Sequence, residues 1–258
     1  MARKLLQATN ASLSVDASPV TGNPWAMGCW YRKLTTSVGT QTLMFYGDKD
    51  TNVVDLAMRL DKNTGYLEVW DSTYSLLVRD TVNSADDTWH HGAVVCWEEY
   101  YAPGSDRYYV ELWRDGSVIG SANTVINSGE ETATYADRFA LGRTLNSVPA
   151  YSLGGYLAEA WLAGGERIGA DLVGAMSRGS LPPRVLGSLL KGYWPVWGID
   201  SPEPEVTGKN LALTIVGTAD GNDHPPVTLL RPAGRFGSLM ESPERRVVMD
   251  GFAVRVSA

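Results

Sequence analysis

The chain has 258 residues, 44 % of them hydrophobic, which suits one large all-β domain or two small ones around a sizeable core. Its formal net charge of −7 excludes the basic footprint of non-specific nucleic-acid binding, and no apolar run approaches membrane-spanning length. The nine Trp and twelve Tyr suit wide, half-buried pleated surfaces and are read first as core.

Met1–Asn10 starts basic at Arg3 and Lys4, but Leu5-Leu6 is its only apolar patch, so no secretion signal is expected. Ala11–Asp16 alternates weakly and predicts a first strand, broken by Ser18-Pro19 and Gly22-Asn23-Pro24. Trp25–Lys33 predicts a strong strand, with Trp25, Met27, Cys29 and Tyr31 on one face and Trp30 on the other. Leu43–Gly47, Val53–Leu60, Tyr66–Trp70 and Leu76–Asp80 follow as short strands separated by turn chemistry, the pattern of a sandwich or barrel. Cys29 and Cys96 both fall inside predicted strands. They are read as free buried thiols rather than a disulfide, because nothing points to an oxidising compartment.

The stretch Asp86–Ile119 predicts two long strands and the start of a third. Val95 and Trp97 alternate against Val94 and Cys96. Tyr109, Glu111 and Trp113 alternate against Tyr108, Val110 and Leu112. Asp115-Gly116 between two β-rich runs is a strong hairpin signal. This hairpin is expected at the centre of the sandwich, with Trp97 among the residues holding the two sheets together.

Further on, Arg138–Arg143 and Gly154–Ala163 predict strands. Asp171–Met176 predicts a helical turn with Asp171 as N-cap, stopped by Gly179 and Pro182-Pro183, and Val185–Leu190 predicts a second. Leu211–Val216 and Val227–Leu230 are the last strand candidates of a domain spanning residues 1–230. Residues 231–258 form an irregular C-terminal arm, with Pro232, Gly234, Gly237 and Pro243 and one strand candidate, Arg246–Met249. The arm holds five Arg against Glu241, Glu244 and Asp250, a net of +2, so the rest of the chain carries −9. An acidic body with basic ends makes Arg3, Lys4, Arg231, Arg235, Arg245 and Arg246 candidates for contact with a partner.

Trp89-His90-His91, the apolar run Ala93–Trp97, and Tyr109–Trp113 leading into Asp115-Gly116 together resemble the centre of a LamG-like, concanavalin A-like jelly-roll domain. Pro24–Lys33, Arg138–Arg143 and Gly154–Ala163 resemble further strands of that family. The closing stretch from Tyr193-Trp194-Pro195 to His224-Pro225-Pro226 resembles LamG-like proteins of phages and prophages. The resemblance implies an all-β concanavalin A-like jelly-roll β-sandwich with one or two short helices. It implies a non-enzymatic phage virion structural protein, a head decoration (capsid-stabilising) or tail component. Its partners would be other virion proteins and copies of itself, and it would be assembled in the host cytoplasm, with no nucleic acid or membrane bound. The alternative is a carbohydrate-binding, lectin-like module, with calcium as an open option.

Catalytic and metal-binding motifs are lacking: no HExxH, CxxC, GxSxG, Walker loop or GxGxxG occurs. Adjacent His90 and His91 point to opposite faces and cannot share a metal from one strand. Glucanases of the resembling fold carry two strand carboxylates about 5–5.5 Å apart, whereas Glu98-Glu99 oppose each other, Glu111 and Asp115 straddle a turn and Glu159 stands among apolar neighbours. Because many LamG-like domains hold calcium at a loop rim, Asp48, Asp50, Asp86 and Asp87 are candidate ligands, solvated turn acids being the plainer reading. Tyr100, Tyr101 and Trp113 are the candidate glycan platforms.

Overall fold

A computed structural model of the chain describes residues 2–17, 19–20, 22–34, 39–50, 54–71, 75–84, 86–127, 136–144, 151–196, 202–217, 219–222, 224–227, 245–249 and 252–256. Residues 1–227 form one compact unit and residues 228–258 a second.

The first unit is a jelly-roll sandwich of two antiparallel sheets. One sheet takes β1 (Ala2–Leu5), β3 (Trp25–Lys33), β8 (His90–Ala102), β9 (Ser105–Arg114), β10 (Ser117–Asn127), β12 (Gly155–Gly164), β13 (Leu190–Trp194) and β15 (Ala219–Asn222). They lie in the order β10-β9-β8-β3-β12-β1-β15, with β13 also on β12. The other takes β2 (Ser12–Val15), β4 (Gln41–Gly47), β5 (Val54–Leu60), β6 (Tyr66–Trp70), β7 (Leu76–Asn83), β11 (Arg138–Leu141) and β14 (Thr214–Val216), in the order β14-β2-β11-β4-β5-β6-β7.

Period-two alternation sends one face of each strand inward. Met27, Cys29, Tyr31, Val94, Cys96, Val110 and Leu112 from the first sheet meet Leu43, Tyr46, Leu56, Met58, Leu67 and Phe139 from the second. Aromatic pairs cross the gap. Trp25 meets Tyr46 edge-on at 5.2 Å, and Phe139 stacks on Trp194 at 4.6 Å. Both cysteines are free and buried.

The outer face of the first sheet is also largely covered. Helices α1 (Ala170–Ser177) and α2 (Pro182–Leu186) lie against it, burying Val173, Met176 and Leu186. Beneath them Trp161 is pressed onto Gly28, where a Cβ would sit 2.5 Å from its ring. Here glycine is required by close approach rather than by backbone angle.

Several expectations need correction. A strand at Ala2–Leu5 was not anticipated, because Arg3 and Lys4 read as a basic start. Arg3 is in fact 3 % exposed and bonds Glu203 at 2.8 Å, so it is no surface contact for a partner. β15 contains Asp220-Gly221-Asn222, residues that otherwise mark turns. Gly169, not Asp171, caps α1, and Asp171 sits in its first turn. Pro182-Pro183 open α2 rather than stopping a helix, since proline at the first helical positions loses no hydrogen bond. Val227 belongs to no strand, and residues 228–230 lie outside the described set. Trp97 points to the outer face, where it stacks on Tyr109 at 4.9 Å and 4°.

In the second unit, β16 (Arg245–Met249) pairs antiparallel with β17 (Phe252–Val256). Two strands stand where one was anticipated. The missed signal was Asp250-Gly251 between two apolar runs.

Candidate functional site

An open cleft of about 500 Å³ lies where four separate stretches converge. Gln7 and Asn10 reach it from the 3-10 turn after β1, Gly39 and Thr40 from the approach to β4, and Lys62 from the β5–β6 turn. Arg143, Tyr151 and Ser152 come from the connection between β11 and β12.

The walls are fixed by local bonds. Gln7 Nε2 donates to the Ser152 carbonyl at 3.3 Å, and Ser152 Oγ donates to Asn10 Oδ1 at 3.1 Å. Asp61 shapes the turn that presents Lys62. Its Oδ1 accepts from the Asn63 and Thr64 amides at 3.0 and 2.8 Å and from the Thr64 hydroxyl at 2.7 Å. Partial burial works against the Asp61 charge, but these bonds outweigh it and hold its pKa below the ordinary value.

Tyr151 is the aromatic wall. It is 42 % exposed and sits at φ +60°, a left-handed conformation uncommon for a bulky residue. The Thr42 amide donates to its carbonyl at 2.7 Å and secures that conformation. The guanidinium of buried Arg59 lies 4.7 Å from the Tyr151 ring centroid and 5.4 Å from that of Trp70, so the ring is braced from within the protein.

Candidate metal ligands divide between two places. Asp48 and Asp50 come together with Asp137, which sequence spacing could not reveal, with carboxylate oxygens within 4.8 Å of one another. They offer the hard oxygens that calcium takes, but calcium takes six to eight, and a lysine already serves this group. Lys49 Nζ lies 3.3 Å from Asp137 Oδ2, and its amide donates to Asp137 Oδ1 at 2.8 Å. Asp86 and Asp87 do not join them. Asp86 bonds Thr88 and His90, and Asp87 accepts from Arg32 at 2.9 Å.

Candidate glycan platforms also divide. Tyr100 and Tyr101 are 75 % and 53 % exposed at the end of β8, with Arg107 over Tyr101 at 4.4 Å. Trp113 is 4 % exposed on the helix-covered face of its sheet and cannot receive a surface ligand. The Trp97 ring is also occupied, with Tyr109 on one side and Arg167 3.5 Å from its centroid. Of the basic candidates, Lys4 lies 6.0 Å from the Tyr156 ring, the side chains of Arg245 and Arg246 in β16 are not described, and Arg231 and Arg235 lie outside the described residues.

No family model matches the chain, and no curated protein matches it. Solved structures do resemble it in fold. A Bacteroides ovatus protein, provisionally described as carbohydrate-binding, superposes with a TM-score of 0.57 at 15 % identity over 88 % of this chain and 61 % of that one. A SAP-like pentraxin of Limulus polyphemus gives 0.48 at 11 % identity over 68 % and 81 %, and mouse laminin α1 domains LG4-5 give 0.47 at 13 % over 66 % and 43 %. With the two-sheet topology, the Bacteroides ovatus superposition shows the fold alone, an all-β concanavalin A-like jelly-roll β-sandwich.

Proposed function

We propose that this chain is a carbohydrate-binding, lectin-like module whose ligand sits against Tyr151. The observation that carries the reading is the braced, exposed Tyr151 ring in a cleft lined by amide, hydroxyl and cationic groups. A sugar ring has an apolar C–H face and a rim of hydroxyls. An aromatic wall answers the first, and Gln7, Asn10 and Ser152 answer the second. The Bacteroides ovatus neighbour's description supports this choice. The virion structural role implied by residues 193–226 draws no comparable support.

The function is binding without turnover. On a glycan array the protein gives defined hits, and incubation with those glycans releases no new reducing ends. Tyr151→Asn, chosen because asparagine tolerates left-handed backbone, abolishes the hits while leaving thermal melting in place. A variant that binds like the parent protein rules this cleft out. A blank array together with tight binding to assembled capsids or tails establishes the virion role instead.

A further inference from the structure

The cleft is built largely from acid-free stretches of an acidic chain. No Asp or Glu occurs in residues 1–15, 17–47 or 139–158, although the whole sequence holds 29 of them. Residues 1–47 and 139–158 together carry five Lys and Arg against Asp16 alone; Arg3 and Arg32 are paired with Glu203 and Asp87, and Arg143 is the one of the five that lines the cleft. All the described residues lining the cleft except Lys62 come from these stretches, and none of them is a carboxylate. Lys62, presented by the Asp61 turn, is exposed and makes no ion pair among the described residues, and Arg143 supplies a second cation.

We infer that the cleft selects a glycan carrying an anionic group, a carboxylate or a sulfate, held by Lys62 and Arg143 while a sugar ring rests on Tyr151. This rests on the carbohydrate-binding reading and adds the chemical class of ligand. A cleft of one sign concentrates counter-charged ligands, and the field is felt more strongly where the rest of the surface repels them. Charge-assisted hydrogen bonds from ammonium and guanidinium groups to such an anion are about twice as strong as neutral ones. Neutral sugars gain nothing from the first effect and less from the second, because only the donor is then charged.

Two matched pairs of probes test this by calorimetric titration at low salt. One is a sulfated oligosaccharide with its desulfated counterpart. The other is a uronate-containing oligosaccharide with its carboxyl-reduced counterpart. The expected result is that at least one acidic member binds about tenfold tighter than its neutral partner. That ratio falls toward one in Lys62→Gln and in Arg143→Gln and recovers in Arg143→Lys, with melting curves confirming that each variant folds. The pair showing the ratio identifies sulfate or carboxylate as the recognised group. Equal binding of acidic and neutral members, both lost in Tyr151→Asn, overturns the anionic preference and leaves the carbohydrate reading standing. An acidic preference that survives both glutamine variants places the anion elsewhere and also overturns it. No binding by any probe, together with a blank array, removes both readings.

Discussion

His90 and His91 are neighbours whose protons act on stability in opposite directions. His91 lies buried between Trp30, at 5.5 Å, and Trp161, at 6.5 Å, and neither ring nitrogen finds a hydrogen-bond partner among the described residues. Burial pushes its pKa down from 6.5 to about 4. Between those values the unfolded chain binds a proton that the folded one refuses, so stability falls as pH drops below about 6.5. At roughly 1.4 kcal/mol per pH unit, this limb is worth on the order of 3 kcal/mol. For His90, partial burial opposes the charge. Bonds to Asp115 Oδ2 at 2.8 Å and Asp86 Oδ1 at 3.1 Å outweigh it and raise the pKa. Its contribution is therefore complete below about 6.5 and lost as pH rises through the raised value. Asp86 and Asp115 are themselves held low, so they add stability above about 3.8 that disappears in stronger acid. Urea melts across pH 4 to 8 should show a maximum near 6.5 for the parent protein. His91→Phe, which costs no side-chain hydrogen bond among the described residues, should flatten the acid limb, and His90→Gln the alkaline one. An unchanged acid limb in His91→Phe would assign that loss to other groups.

At the level of the element, the β8–β9 hairpin separates what alternation reveals from what it conceals. Period two shows which side chains share a face, and that grouping held: Val94 with Cys96, and Val95 with Trp97. It does not show which face is the interior when both are apolar. In β8 both are, because one side packs on the opposite sheet and the other, over part of its length, lies under α1. Strand existence was legible along most of the chain for the same reason, since alternation and turn residues are local. β1 was not, because Arg3 is reconciled with burial by a long-range partner, Glu203, and β15 was not, because Asp220-Gly221-Asn222 read as turn residues. The outward position of Trp97 changes its expected energetic weight. Trp161→Ala removes a fully buried ring pressed on Gly28 and stacked on His91 and should cost about 3–5 kcal/mol. Trp97→Ala loses a stack on Tyr109 and an Arg167 contact at a partly open edge and should cost about 1–2 kcal/mol. Denaturant midpoints of the two variants, compared at equal slope, check the order. A larger loss for Trp97→Ala would restore it to the core.

Across the whole molecule, the two candidate sites sit at opposite ends of one strand. Thr40 borders the cleft just before β4, and Asp48 begins the acidic group just after it. The seven residues of β4 separate them, eight steps of about 3.3 Å or about 26 Å in all. Neither site was legible as a whole in the sequence. Asp137 lies far along the chain from Asp48 and Asp50, and the cleft gathers Gln7, Thr40, Lys62 and Tyr151 from four stretches that share no motif. Only the sandwich topology brings them together. The separation has a measurable consequence. A calcium ion among Asp48, Asp50 and Asp137 would be too far from Tyr151 to touch a sugar there, and it would have to displace Lys49 from Asp137. Glycan affinity should therefore stay within about twofold, less than 0.5 kcal/mol, between millimolar calcium and excess chelator. The melting temperature of the parent protein should be equally indifferent to calcium, because Lys49 already neutralises part of the cluster. Lys49→Gln removes that internal cation and should make melting calcium-sensitive, since three carboxylates then face each other without it. Loss of glycan binding on chelation would mean that the ligand is held through the metal, and would move the binding site from the Tyr151 cleft to the aspartate end of β4.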